Sequence, residues 1–105
     1  MTRGSFYKSA RWKRMRRAIL SRDKYRDQLA ARYGKNIEAN TVHHILPRED
    51  YPQYQLKPWN LISLSHETHN TLHDRATGKL TEEGQRLAER TARRQGIKLN
   101  GNDDN

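Results

Sequence analysis

"NTVHHILPRED", residues 40–50, sets two of the chain's five histidines side by side. Val42 and Ile45 flank the pair, a β-branched setting that suits a short strand. Pro47 then ends the strand, because proline has no N–H to give to a ladder. The next stretch, "PREDYPQYQLKP" (47–58), is polar, tyrosine-rich and bounded by prolines, and reads as a loop. "WNLISLS" (59–65) reads as a second short strand. Together they predict a hairpin with an ordered loop of about a dozen residues, a length more often functional than accidental. On a regular strand neighbouring side chains point to opposite faces, so His43 and His44 are expected to share a site only if Pro47 relaxes that alternation.

After this hairpin, Ser65 is placed to cap a helix over "HETHNTLHDRA" that stops at Gly78. Thr81 opens another over residues 81–95, with acids early and arginines late, as the helix dipole favours. Before the hairpin, Ser9 caps a helix through "ARWKRMRRAIL", which buries Trp12, Met15 and Ile19 at helical spacing. Its other faces carry Arg11, Lys13, Arg14, Arg16 and Arg17. A further helix is expected over "SRDKYRDQLAARYG", striped by Tyr25, Leu29 and Tyr33 and stopped by Gly34. The fold class is therefore α+β. It is expected to be a single domain over 1–98, with a basic helical part at 9–35, a histidine-bearing core at 39–77, a helix at 81–95 and a disordered tail at 99–105.

Composition narrows the function. The chain has 105 residues of which 32% are apolar, so its core is small. It has no cysteine, which removes disulfides, thiolate zinc sites and cysteine nucleophiles. Histidine-bound metal remains open. No stretch approaches the roughly 20 apolar residues of a membrane span, and "MTRGSFYKSARW" lacks the apolar run of a secretion signal, so a soluble protein of the cytoplasm is expected. The net charge of +9 is one-sided: residues 1–35 contribute +10, residues 36–75 contribute −2 and the remainder +1. Such basicity is the footprint expected of a protein that binds nucleic-acid phosphates, and a basic arm of this kind also suits an acidic protein or an anionic lipid.

All five histidines, His43, His44, His66, His69 and His73, fall within 31 residues. On an ideal helix His69 and His73 stand about 40° apart and about 6 Å along the axis, so both imidazoles reach one cation. Neutral imidazole is a good ligand, and a pKa near 6.5 also makes it a competent base. Phosphodiester hydrolysis needs a positive group on the non-bridging oxygen, a base for water and stabilisation of the departing alkoxide. A hairpin and helix holding a cation and a free histidine meet those needs, with basic helices to hold the polymer. "HETH" is one residue short of the H-E-x-x-H protease signature and does not match it.

"VHHI", Asn60 in "WNLISLS", and "HETHNTLH" together resemble the HNH nuclease motif of the ββα-metal fold. Asn60 lies 16 positions after His44, and His69 lies 9 after Asn60, spacings that suit the colicin-type nucleases. The frame "FYKSARWKRMRRAILSRD" followed by "VHHILP" is similar to small HNH proteins of tailed phages and prophages. The resemblance implies a metal-dependent endonuclease that cuts DNA to a 5′-phosphate and a 3′-hydroxyl. His44 would be the general base, His43, His69 and His73 the ligands of one divalent cation (Mg²⁺, Mn²⁺, Ni²⁺ or Zn²⁺), and Asn60 the tie that holds the loop after His44. His66 is left structural or substrate-facing. The arginine-rich helix (Arg11, Lys13, Arg14, Arg16, Arg17) would contact DNA, and a terminase large subunit and portal would be partners in genome packaging in a bacterial host. Many phage relatives carry two CxxC pairs on a structural zinc. Here Asp27, Ala30, Ser65 and Thr68 occupy those positions, so no structural zinc held by four cysteines is expected, and the Tyr25/Leu29/Tyr33 stripe is expected to pack in its place. A catalytically silent DNA-binding module of the same fold is the alternative.

Overall fold

A computed structural model of the chain describes residues 3–99. The expected tail lies almost wholly outside them. The elements run α1 (Arg3–Lys8), α2 (Ala10–Arg22), α3 (Gln28–Ala31), β1 (Thr41–His44), β2 (Leu61–Leu64), α4 (His66–Asn70) and α5 (Glu82–Gln95), with 3-10 turns at Pro52–Tyr54 and Pro58–Asn60 in the loop between the strands. This is the α+β arrangement of a two-stranded antiparallel hairpin followed by a helix.

β1 and β2 pair antiparallel, with His44 opposite Leu61 and His43 opposite Ile62. Alternation then sorts the hairpin into two faces. Leu61 packs with Trp12 and Ile19 of α2. Ile62 and Leu64 join Ile45, Leu46, Tyr51, Leu72 and, from α5, Leu87 and Ala88 in the larger core. The hairpin is thus sandwiched between α2 and α5, and the small core is split by a sheet that is apolar on both sides.

The caps fall where the sequence placed them. Ser9 Oγ accepts from Trp12 N at 3.1 Å, Ser65 Oγ from Thr68 N at 3.2 Å, and Thr81 Oγ1 from Gly84 N at 3.3 Å. Gly96 ends α5 in the left-handed region, at φ 69.

Three expectations are corrected. The helix expected from Ser21 to Gly34 does not form. The chain leaves α2 through Lys24 and Tyr25, both left-handed at φ 57 and 56, and resumes as the single turn α3. Asp23 and Asp27 explain the break, since each carboxylate accepts a backbone N–H from β2 or just beyond it, Ser63 N at 3.1 Å and Ser65 N at 2.9 Å. Asp27 is moreover the N-cap of α3, extended at ψ 114 with its carboxylate accepting from Ala30 N at 2.9 Å, a backbone conformation that a continuous helix does not contain. Consequently the tyrosine stripe does not exist: Tyr25 is 47% and Tyr33 83% exposed, and only Leu29 packs on the core. Second, the helix expected to reach Gly78 ends at Asn70. Beyond it His73 pairs with Leu80 in an isolated bridge and Asp74 accepts from Ala76 N and Thr77 N at 2.8 and 3.0 Å, so bridge and turn occupy the stretch expected to be helical. Third, α1 precedes Ser9, where the sequence reading places no helix.

Candidate active site

His43 and His44 leave β1 on opposite faces, as a regular strand demands, yet both border one cleft of about 960 Å³. Val42, His43 and His44 of β1 line it, together with His69, His73 and the start of the loop, and β2 contributes nothing. The cleft therefore runs along the free edge of β1, where side chains of either face can reach it. The expectation that alternation must relax is overturned. The free edge makes a distortion of the strand unnecessary.

His43 points toward α4. Its ring centroid is 5.1 Å from that of His69 and 5.2 Å from that of His73, and the latter two are 4.9 Å apart. One nitrogen from each ring falls within 4.8 Å of the others. Nε2 of His43 is buried and has no hydrogen-bond partner among the described residues, a cost of about 1 to 3 kcal/mol unless something binds there. His73 Nδ1 donates to the Gly78 carbonyl at 3.1 Å, which fixes its tautomer and leaves Nε2 as an acceptor. Burial, then the neighbouring rings, hold the His43 pKa well below its usual range. The same causes bring His69 down to about 4. At neutral pH both are neutral, the form that ligates metal. Three converging acceptors with one orphaned fit a single cation. Because α4 is so short, His73 reaches this point from the turn after the helix, where it bridges Leu80, and the ideal helical geometry of the pair does not apply. His66 is exposed and stands outside the trio.

His44 points the other way and lies flat on Trp12, centroids 5.1 Å apart and planes 22° apart. Nε2 meets the Gln55 carbonyl at 3.0 Å. A carbonyl can only accept, so Nε2 carries the proton and Nδ1 is left basic. Burial lowers the His44 pKa and the nearby Arg48 charge adds to this, against the opposing hydrogen bond to Gln55, so the ring is neutral at pH 7. Asn60, fully buried, accepts from Leu46 N at 2.7 Å and donates to the carbonyls of Leu46 and Tyr54 at 3.1 and 3.2 Å. One amide thus joins the residues just after His44 to the far side of the loop.

On α2, Arg11, Lys13, Arg14 and Arg17 are exposed. Arg16 is partly buried and donates to the Asn40 carbonyl at 2.8 Å, fastening the helix to the chain entering β1. Asp27 is the hub between α3 and the start of α4. Its carboxylate accepts from Ala30 N and Ser65 N, each at 2.9 Å, and bonds the Thr68 side chain, while Ser65 Oγ donates to Thr68 Oγ1 at 3.0 Å. Gln55, Arg48 and Phe6 around His44 are additions that the sequence reading does not contain. Gln55 acts through its backbone, which no side-chain pattern reveals, and the other two meet only in three dimensions.

A two-stranded hairpin and helix gathering three histidines, with a fourth on the hairpin's other face and a buried asparagine opening the second strand, define the ββα-metal class. No protein-family model and no curated protein sequence matches the chain. Among solved structures it is similar to an HNH endonuclease of the deep-sea thermophilic bacteriophage GVE2, crystallised with manganese ion: 36% identity, covering 63% of this chain and 72% of that one, with a TM-score of 0.62. At that identity and coverage the chain belongs to the HNH endonuclease family.

Proposed function

We propose that the protein is a divalent-metal-dependent endonuclease that hydrolyses DNA, and the observation that carries this reading is His44. A buried, neutral imidazole with Nε2 committed to a carbonyl and Nδ1 left basic, beside three converging histidines, is arranged for proton transfer rather than for packing. His43, His69 and His73 would hold one cation, which when bound supplies positive charge to the phosphate oxygens and the leaving oxygen. His44 Nδ1 takes a proton from water as the water oxygen bonds to phosphorus and the P–O3′ bond breaks. The products carry a 5′-phosphate and a 3′-hydroxyl, the latter protonated from solvent, and the imidazolium returns its proton to water. Asn60 keeps the loop, and with it Gln55 and the base, in register. Arg11, Lys13, Arg14 and Arg17 hold the phosphate backbone on the side where Trp12 supports His44, contacts that position DNA without reading sequence. The likeness to a manganese-containing relative supports the metal class, and an all-imidazole site binds the later transition metals more tightly than magnesium.

The test is cleavage of supercoiled plasmid by chelator-stripped protein, with Mg²⁺, Mn²⁺, Ni²⁺ and Zn²⁺ added in separate lanes. Nicked or linear product that depends on metal is expected. An intact plasmid retarded on the gel in every lane would favour the silent binding module. A role in genome packaging rests on the likeness to phage proteins alone. A pull-down that recovers no terminase large subunit or portal would remove it.

A further inference from the structure

The loop after His44 carries a cation that the proposed chemistry has not used. Arg48 lines the same cleft as His43 and His44. Its guanidinium carbon sits 4.3 Å from the centre of the Phe6 ring and 5.3 Å from that of Tyr7, both on α1. Its Nε donates to Gln55 Oε1 at 3.0 Å. Gln55 therefore holds two groups at once, the base through its backbone carbonyl and Arg48 through its side chain.

We propose that Arg48 contacts a DNA phosphate oxygen at the cleavage site, with α1 and Gln55 setting it in one frame with His44. The inference rests on the nuclease reading and adds a catalytic residue to it. The three groups that hold Arg48 are neutral. Aromatic rings and an amide fix a guanidinium in place without cancelling its charge, whereas a carboxylate would satisfy it. With Nε taken by Gln55 and the guanidinium carbon over the Phe6 ring, the Nη pair is the part of the group that makes no hydrogen bond among the described residues. That planar fork matches two phosphate oxygens, and lysine does not reproduce it. The arrangement also gives α1 a purpose. Phe6 touches Trp12 and lies 6.0 Å from His44, so this short helix braces the cation and the base together.

The experiment compares wild type with Arg48→Ala, Arg48→Lys and Phe6→Leu on a short labelled duplex. Anisotropy without metal over a salt series reads the phosphate contact, and single-turnover cleavage with Mn²⁺ at saturating DNA reads the reaction. Arg48→Ala should lower the slope of log affinity against log salt by about one and the cleavage rate by about 10²-fold or more. Arg48→Lys should keep the slope but recover only part of the rate. Phe6→Leu, which leaves the charge but loosens its seat, should keep the slope and slow cleavage. Added guanidinium should restore part of the Arg48→Ala rate, a rescue that a merely structural role would not show. Wild-type slope and rate in a folded Arg48→Ala protein would overturn the proposal, as would full activity with lysine. A lost slope with an unchanged rate would overturn the catalytic role. If wild type cuts nothing with any metal, the nuclease reading fails, and the Arg48→Ala slope still decides the phosphate contact by itself.

Discussion

At the scale of single residues, two buried polar side chains carry more of the architecture than their size suggests. Asn60 makes three hydrogen bonds with no exposed surface. Changing it to aspartate keeps the shape but turns an oxygen toward the carbonyls of Leu46 and Tyr54. Asn60→Asp should therefore cost about 2 to 4 kcal/mol in urea unfolding and slow cleavage in the protein that remains folded, because each unsatisfied buried group costs about 1 to 3 kcal/mol. Asp27 is the second. Burial opposes its charge, but hydrogen bonds from Thr68, Ala30 N and Ser65 N prevail and set its pKa below the ordinary 3.8. A depressed carboxylate stabilises the fold fully above its unfolded pKa and loses that contribution as pH falls through the folded value. Stability of the wild type should thus fall steeply below about pH 4, and the Asp27→Ala protein, weaker by about 3 kcal/mol at pH 7, should show a flatter fall there. Parallel curves in urea titrations at several pH values would remove Asp27 from this role. That His43, His69 and His73 come together was legible through the resemblance to the HNH motif, since spacing alone left His66 open beside His69. Gln55 was not, because any residue offers the same carbonyl.

At the scale of elements, local signals were legible where a side chain acts within its own turn and failed where a distant partner decides. Ser9, Ser65 and Thr81 cap their helices, and residues 81–95 fall at the edges of α5. The break after α2 was hidden because it is made by Lys24 and Tyr25, not by glycine or proline, and is held by the Asp23 and Asp27 bonds to the strand, some 40 residues away. A left-handed non-glycine residue costs about 1 kcal/mol or more, so Lys24→Gly should stabilise the protein by about 1 kcal/mol in thermal melts. Gly84 behaves in the opposite way. It sits inside α5, where alanine is the better helix former, yet a Cβ there would lie 2.6 Å from the Leu72 carbonyl oxygen and 2.9 Å from Leu80 Cδ2. Gly84→Ala should destabilise by about 1 to 3 kcal/mol, and since Leu72 directly precedes His73 it should also weaken metal binding. A neutral or stabilising alanine would mean that α5 can move away from the turn after α4 freely.

At the scale of the whole molecule, the one-sided charge and the small core meet at the hairpin. α2 brings the basic residues to one face of the strands and the histidine trio gathers on the other, so the free edge of β1 is where a phosphate backbone can meet both. Replacing Arg11, Lys13, Arg14 and Arg17 together by glutamine should reduce the salt slope of DNA binding by up to about 3 to 4, with little change in metal affinity, if each neutralises a phosphate. A core this small, with His43 Nε2 unpaired among the described residues, should also gain stability from a divalent cation bound there. At a hundredfold excess over the dissociation constant the gain is about 2.7 kcal/mol, or a rise in Tm on the order of 10 °C.

The proposed division of labour, His44 as the base and His43, His69 and His73 as the metal ligands, is separated by putting the His44→Ala protein through three assays beside wild type: Mn²⁺ titration by calorimetry, duplex binding by anisotropy, and single-turnover cleavage. Metal and DNA affinities are expected within a few-fold of wild type, with a cleavage rate lower by about 10² to 10⁴-fold, the usual worth of a positioned base. Undiminished cleavage, or loss of metal binding in step with cleavage, would contradict that division.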